Sequence, residues 1–170
     1  FYDLFGESLP SMALARAAAL AARGWATGEV HKAAVLAADQ LERQVLPYVP
    51  PLLEWHRAAG RLLVLATTTP HDMVEPLARR LGFDEVIATR YASYVDREGV
   101  ERYNGQLAGG FVWSIGKRQA VRRWAKSAGV DLGQSWAYSD SFYDIPLLQS
   151  VGHPTAVNPD ARLHAAAVLR

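Results

Sequence analysis

Short apolar runs of strand length alternate with helical patterns in the chain from residue 49 onward. The clearest run is "RLLVLAT", residues 61–67, in which five apolar residues precede a final threonine. The others are shorter and lie within "FDEVIATRY", "SWAYS" and "TAVN", at residues 83–91, 135–139 and 155–158. Continuous apolar runs of this length are typical of strands that are covered by helices on both faces of a parallel sheet. The sequence therefore predicts an α/β fold with a parallel sheet flanked by helices.

The beginning of the chain lacks strand-length runs and has helical spacing instead. Residues 8–23 are rich in alanine and leucine and are followed by Gly24, which suits a left-handed helix cap. Apolar residues then recur at helical spacing as far as Val45. We predict two domains, a small helical cap segment at residues 1–48 and an α/β core at residues 49–170.

Three segments of the predicted core lie between or beside its strands. Residues 91–112 combine aromatic and β-branched residues with the turn sequences "DREG" and "NGQ", which predicts a β-hairpin. The helical segment 70–82 contains Pro76, which we expect to kink the helix or to start a new turn. A further helix at residues 116–129 is expected to end at Gly129.

Polar residues follow the predicted strands at the places where ligands collect in an open parallel sheet. Thr67 ends one strand and Thr68 opens the next predicted helix, where a hydroxyl and free backbone amides can bind an anion. Asp140 follows the strand "SWAYS", and Asp144 lies about one helical turn farther along. Lys117 stands near the start of another helix, where its positive charge opposes the helix dipole.

Each of these residues also has an ordinary structural explanation. A threonine after a strand is commonly a helix cap, and a lysine at a helix start is usually exposed to solvent. Two acids near a turn are commonly a cap and a solvated side chain. Their joint order along the chain favours a functional site, because a hydroxyl, an ammonium group and two carboxylates suit a phosphate group and a hard cation such as Mg²⁺.

The order Thr67, then Gly116-Lys117, then "YSDSFYDIPLL" resembles the second, third and fourth motifs of the haloacid dehalogenase superfamily of phosphotransferases. The match is closest to the phosphoserine-phosphatase-like branch of that family. The flanking sequences "EPLARRLGFDEVIATRY" and "VGHPTAVNPDARL" agree with it, so the resemblance extends over about residues 50–165. It implies a Rossmann-like parallel core with a small helical cap inserted between the first and second motifs.

The resemblance also implies roles for individual residues. Asp140 is implied to hold Mg²⁺, and Asp144 to orient the metal shell or the lysine, so both are candidate metal-site residues. Thr67 and Lys117, with Thr68 beside them, are implied to bind the oxygens of the transferred phosphoryl group and to offset their charge. The candidate catalytic residues are therefore Thr67, Lys117 and Asp144, and the candidate phosphate-binding residues are Thr67, Thr68 and Lys117.

The first motif of the family, a nucleophilic aspartate in a DxDx(T/S) sequence at the end of the first strand, has no counterpart here. Asp3 is the only early candidate, but Phe5 and Glu7 stand where the second aspartate and the hydroxyl belong. Two residues before Asp3 also cannot form the strand that must carry it. We therefore expect the first strand and its aspartates to lie upstream of Phe1, and this chain alone to be inactive. Fused or neighbouring domains are possible beyond either end.

Composition limits the partners of the chain. Eighteen basic and seventeen acidic side chains leave a formal net charge of +1, which argues against nucleic acid as the main partner. No apolar run approaches the roughly 18 residues that cross a bilayer, and the absence of cysteine is compatible with a reducing cytoplasm. We expect a cytoplasmic location. The family resemblance implies a magnesium-dependent phosphomonoester hydrolase that acts through an aspartyl-phosphate on a small phosphorylated substrate.

Three other functions fit parts of the pattern. A non-catalytic phosphate- or phosphoprotein-binding module needs the same anion site without a nucleophile, and it is the main alternative. A receiver-type signalling domain also combines aspartate, threonine and lysine, but there the lysine comes last, whereas here Asp140 follows Lys117. A hydrolase that uses Thr67, His71 and Asp72 would lack the glycines of a nucleophile elbow.

Overall fold

The computed structural model describes residues 9–168, so the interpretation of Asp3 and Glu7 lies outside the described residues. The helices are α1 (Leu9–Ala21), α2 (Thr27–Glu42), α3 (Val49–Ala58), α4 (His71–Arg80), α5 (Ser114–Ala128), α6 (Ile145–Leu148) and α7 (Ala161–Val168). The strands are β1 (Val64–Pro70), β2 (Glu85–Thr89), β3 (Tyr91–Val95), β4 (Glu101–Leu107), β5 (Trp136–Ser139) and β6 (His153–Ala156). Short 3₁₀ helices cover Leu132–Gln134 and Phe142–Asp144. None of the described helices is long and apolar enough to cross a membrane.

The predicted α/β class, with parallel strands flanked by helices, is confirmed. The chain divides into two compact units, one formed by Met12–Phe111 and one that contains Val112 and the residues after it. The first contains the parallel pair β1–β2, and the second contains the parallel pair β5–β6. The predicted hairpin is also confirmed, because β3 and β4 pair antiparallel. The division into a cap at residues 1–48 and a core at residues 49–170 stays a prediction.

One hydrophobic core cluster of the unit Met12–Phe111 lies between its parallel strands and one face of α4. Buried side chains of α4 and β2 form it, and partly buried apolar residues pack around them: Ala78, Val86 and Ala88, with Leu65, Val74 and Phe83. In the β1–β2 ladder, Leu65 pairs with Val86 and Thr67 pairs with Ala88. Thr67 therefore lies within a strand whose apolar residues pack into this core, and not at its end as predicted.

The end of β1 differs from the prediction for Thr68. The strand continues to Pro70 and α4 begins at His71, so Thr68 lies in the strand and does not open the helix. Pro70 explains the difference, because a proline disfavours the helical conformation in the residue before it, here Thr69. The ladder register shifts between Thr67 and Pro70, so the intervening residues form an irregularity at the strand end.

Two smaller expectations are also corrected by the structure. α4 runs through Pro76 to Arg80 as one helix, so the alternative that this proline starts a new turn is wrong, whereas the expected kink stays a prediction. The last strand lies two residues earlier than the predicted "TAVN", because its pairing places His153 opposite Trp136. Asn158, in the left-handed region with a φ of 44°, follows the end of that strand.

Backbone hydrogen bonds join the hairpin to the turn between α1 and α2. The amide of Gly24 donates to the carbonyl of Tyr103 (2.9 Å), and the amide of Tyr103 donates to the carbonyl of Trp25 (3.1 Å). The guanidinium of Arg102 donates to the Gly24 carbonyl (3.0 Å) and to the Asp96 carboxylate (2.6 Å). Gly24 has a φ of 83°, as expected for the left-handed region that a glycine adopts without strain.

Gly152 allows a close backbone contact in the unit that carries β5 and β6. Its amide donates to the carbonyl of Leu132 (2.9 Å), and a Cβ atom at position 152 would lie 1.7 Å from the carbonyl oxygen of Gly133. Gly152→Ala must therefore displace backbone, and we expect it to lower the free energy of unfolding by about 3 kcal/mol. Denaturant unfolding checks this value.

The matched control is Gly28→Ala in α2, where a Cβ atom would meet nothing within 4 Å. We expect it to change the free energy of unfolding by about 1 kcal/mol or less, in the stabilising direction, because alanine is the better helix former. Equal stabilities of the two variants would contradict the steric argument.

His56, on α3, makes stability depend on pH. Burial of its ring, followed by the charge of Arg61, lowers the pKa of His56 below its ordinary value of 6.5. The ordinary pKa of about 6.5 applies to His56 in the unfolded chain, and the pKa in the folded chain is lower. At a pH between the two, the unfolded chain binds a proton that the folded chain does not. The free energy of unfolding therefore falls as the pH drops below about 6.5. Unfolding at pH 7.5 and pH 5.5 should show a smaller loss in His56→Gln than in the wild type. A loss of the wild-type size in that variant would assign the pH dependence to other groups.

Candidate functional site

The residues that follow β5 form a tight turn between that strand and α6. Ser139 is the last residue of β5, and Asp140 follows it directly. The hydroxyl of Ser141 then caps the 3₁₀ helix Phe142–Asp144 by accepting the amide of Tyr143 (3.3 Å). Both serines are small and polar, so their hydroxyls can satisfy backbone amides where the strand ladder stops.

Lys117 and Asp144 form a buried ion pair beside this turn. The Lys117 ammonium lies 2.6 Å from Oδ1 and 2.9 Å from Oδ2 of Asp144, and the two side chains are only 8% and 12% exposed. The hydroxyl of Ser139 donates to the same Oδ2 atom at 2.8 Å. Both carboxylate oxygens of Asp144 are thus occupied by protein donors, which supports a role for Asp144 in holding the lysine.

The sequence explains why Lys117 needs this partner. Its amide donates to the carbonyl of Trp113, which places the side chain in the first turn of α5. A cation there is opposed by the helix dipole, and its burial removes the solvation of the ammonium group. The carboxylate of Asp144 offsets both effects, so the pair is expected to be stable only as a pair.

Asp140 has the opposite environment. Its side chain is exposed, and no described residue forms a hydrogen bond or ion pair with its carboxylate. Mg²⁺ prefers one or two carboxylates, several waters and phosphate oxygens over a cage of protein ligands. The exposed carboxylate of Asp140 suits the role of such a Mg²⁺ ligand. The described residues contain no group of three or more histidines, aspartates and glutamates placed to hold a metal.

Asp160 contacts the same turn and was not identified from the sequence. Its Oδ2 atom accepts the amide of Phe142 (2.8 Å), and its Oδ1 atom accepts the amides of Leu163 (2.9 Å) and Arg162 (3.0 Å) at the start of α7. The amides of Phe142 and then Leu163 hold the pKa of Asp160 below its ordinary value, so this group stays ionised and accepts these bonds. An aspartate just before an apolar helix is a cap signature that could have identified it.

Aromatic side chains surround the exposed part of the turn. The rings of Trp113 and Tyr143 lie 4.7 Å apart between centroids. The guanidinium of Arg162 lies 4.6 Å from the ring centre of Phe142 and 4.8 Å from that of Tyr143. Tyr143 is partly exposed, so these groups provide an apolar surface next to the ion pair.

Thr67 and Thr68 belong to the other unit, so their joint site with Lys117, Asp140 and Asp144 stays a prediction. The hydroxyl of Thr67 accepts the amide of Thr69 at 3.2 Å, which fixes the carboxyl end of β1. Near that end, Asp72 accepts hydrogen bonds from the Tyr103 hydroxyl (2.5 Å) and from the His71 ring (3.2 Å).

That contact affects the titration of the hairpin tyrosine. Burial, followed by the hydrogen bond to Asp72, raises the pKa of Tyr103 well above its ordinary value. Tyr103 is therefore a neutral structural donor that ties the hairpin to α4.

Comparison with known proteins shows what this chain is similar to. The sequence model of the family described as haloacid dehalogenase-like hydrolase matches residues 2–149. An inhibition of morphological differentiation protein of Streptomyces azureus is 37% identical over 152 residues, which cover 87% of this chain and 52% of that protein. A phosphoserine phosphatase of Mycobacterium tuberculosis is 40% identical over 116 residues, 68% of this chain and 36% of that protein.

A solved structure of a Bordetella pertussis Tohama I protein of unknown function has a similar fold. Its TM-score is 0.81 at 29% sequence identity, and the match covers 99% of this chain and 74% of that chain. This chain spans about half the length of the Streptomyces relative and about a third of the mycobacterial one.

Removal of the lysine tests the buried ion pair. Lys117→Met leaves Asp144 as an unpaired buried charge, and we expect it to lower the free energy of unfolding by about 3–5 kcal/mol. The double variant Lys117→Met/Asp144→Asn removes that charge and should recover at least half of the loss. The control Lys126→Met, at an exposed position on the same helix, should change stability by about 0.5 kcal/mol or less. A Lys117→Met loss no larger than the control's would contradict the pairing.

Proposed function

The chain belongs to the haloacid dehalogenase-like hydrolase family, and on that premise we propose that it forms part of a magnesium-dependent phosphomonoester hydrolase that acts through an aspartyl-phosphate. The observation that carries the proposal is the buried Lys117–Asp144 pair beside the exposed carboxylate of Asp140, which has no hydrogen-bond or ion-pair partner among residues 9–168. Phosphoryl transfer needs a positioned cation and a metal ligand close together, because catalysis of this reaction depends on positioning and charge stabilisation.

Each residue has a defined part in this proposal. Asp140 would hold Mg²⁺, which supplies positive charge at the phosphoryl oxygens when it is bound. Lys117 donates hydrogen bonds to those oxygens and offsets their growing charge, while Asp144 and the Ser139 hydroxyl hold the lysine in place. A part for Thr67 in phosphate binding stays a prediction from the family resemblance.

The nucleophile of the proposed reaction is an aspartate of a DxDx(T/S) strand in a longer protein, N-terminal to Phe1. Its carboxylate oxygen bonds to phosphorus while the bond from phosphorus to the ester oxygen breaks, and the alcohol leaves with a proton from an acid on the enzyme. Water then attacks the aspartyl-phosphate and releases inorganic phosphate. The 170-residue chain is therefore proposed to be inactive by itself.

A small phosphorylated molecule is the proposed substrate. The phosphoserine phosphatase among the relatives supports this class of substrate, and the aromatic groups around Tyr143 are available to contact the leaving group. A cytoplasmic location remains a prediction from the absence of cysteine.

A non-catalytic phosphate-binding module is the second candidate function. It is favoured by one observation, which is that residues 9–168 contain no group of three or more histidines, aspartates and glutamates placed to hold a metal. Such a module would bind phosphate or Mg²⁺ without turnover, even when the chain is extended upstream.

The experiment measures Mg²⁺-dependent phosphate release from an aryl phosphate by the 170-residue chain and by the natural protein extended upstream. We expect turnover only in the extended form, and its Asp140→Asn variant should need at least about tenfold more Mg²⁺ for half-maximal activity. The matched control is Asp131→Asn, because Asp131 caps the 3₁₀ helix Leu132–Gln134 and should leave the Mg²⁺ dependence unchanged. An extended form that contains the DxDx(T/S) strand and still releases no phosphate from a broad panel of phosphate esters would contradict the catalytic proposal.

A further inference from the structure

Asp160 binds the backbone of Asp140 and the backbone of Phe142, two residues later. Its amide donates to the carbonyl of Asp140 at 2.7 Å, and its Oδ2 atom accepts the amide of Phe142 at 2.8 Å. We call residues 140–142 the Asp140 loop. One residue, distant in sequence, thus fixes both ends of the loop that carries the proposed metal ligand.

The path of the chain after β6 places Asp160 there. The amide of Val157 donates to the carbonyl of Ser139 (2.9 Å), which continues the parallel ladder past the end of β5. Asn158 then adopts a φ of 44°, which asparagine tolerates better than most residues, and Pro159 follows it. The chain bends at these residues, and the next amide, that of Asp160, reaches the carbonyl of Asp140.

A helix cap alone does not account for these contacts. Capping α7 requires one acceptor atom, and Oδ1 supplies it to the amides of Arg162 and Leu163. A serine or threonine hydroxyl would satisfy that need equally well. The second oxygen, Oδ2, accepts the amide of Phe142. This bond adds nothing to the capping of α7 and restricts the Asp140 loop instead.

We infer that Asp160 is a positioning residue that orients the Asp140 carboxylate for a divalent cation. The inference rests on the proposed function, because it takes Asp140 as the Mg²⁺ ligand. Groups that hold a metal ligand in place through hydrogen bonds typically affect metal affinity by about 10–100-fold when they are removed.

Two substitutions separate the role of Asp160 as the cap of α7 from its hydrogen bond with the Asp140 loop. Asp160→Ser keeps an acceptor for the start of α7 and loses the bond to the Phe142 amide. Asp160→Asn keeps one oxygen for the cap, and its amide group cannot accept from Phe142. The matched control is Asp131→Ser, which makes the same chemical change at another aspartate cap, where Oδ1 accepts the amide of Gly133.

The experiment measures Mg²⁺ affinity by calorimetric titration and backbone amide exchange by NMR, both on the 170-residue chain. We expect Asp160→Ser and Asp160→Asn to weaken Mg²⁺ binding about tenfold or more and to speed exchange of the Phe142 amide, with the unfolding midpoint close to that of the wild type. The control should retain wild-type affinity and wild-type exchange at Phe142.

Two results would overturn the inference. Mg²⁺ affinity within twofold of the wild type in both Asp160 variants would reduce Asp160 to a helix cap. A wild-type chain that binds no Mg²⁺ would leave no cation for Asp160 to position. Failure of the phosphatase proposal is distinguishable, because it is measured as absent turnover in the extended protein, whereas these readouts need no turnover.

Discussion

The ion pair between Lys117 and Asp144 constrains the whole region between β5 and α6. Both groups are almost fully removed from water, and neither charge is tolerated at that depth without the other. The pair therefore requires the first turn of α5 to face the 3₁₀ helix that follows β5. The hydroxyl of Ser139 completes the set of donors around Asp144. Because this part of the turn is fixed, Asp140 is presented to solvent at the carboxyl end of the strand.

The three aspartates of this region have the same side chain and different environments. Asp144 is buried and saturated by a lysine and a serine, Asp160 is bound by backbone amides, and Asp140 is exposed without a described partner. Differences in burial and in hydrogen-bond partners give chemically identical carboxylates different roles. We propose that Asp140 is therefore the residue that binds a cation, whereas the other two aspartates hold neighbouring groups in place.

Much of this arrangement could be predicted from local patterns. The apolar runs located β1 and β5, and Asp140 follows the end of β5 as expected, whereas Thr67 lies inside β1, which continues to Pro70. The helix opening expected at Thr68 was wrong, because the effect of Pro70 on the preceding residue decided the end of β1. A lysine at a helix start is ordinarily exposed, so the burial of Lys117 depends on a partner 27 residues away that no local pattern identifies. The contact of Asp160 with the Asp140 loop likewise depends on the β5–β6 register and on the backbone of Asn158.

We propose that Asp140, and not Asp144, holds a divalent cation. Paramagnetic Mn²⁺ tests it most directly, since it broadens the NMR signals of amides close to the site where it binds. In the ¹⁵N-labelled chain we expect substoichiometric Mn²⁺ to broaden the amides of Asp140, Ser141 and Phe142 first, and Asp140→Asn to abolish this broadening. Broadening that is centred elsewhere in the chain, or that persists unchanged in Asp140→Asn, would contradict the account.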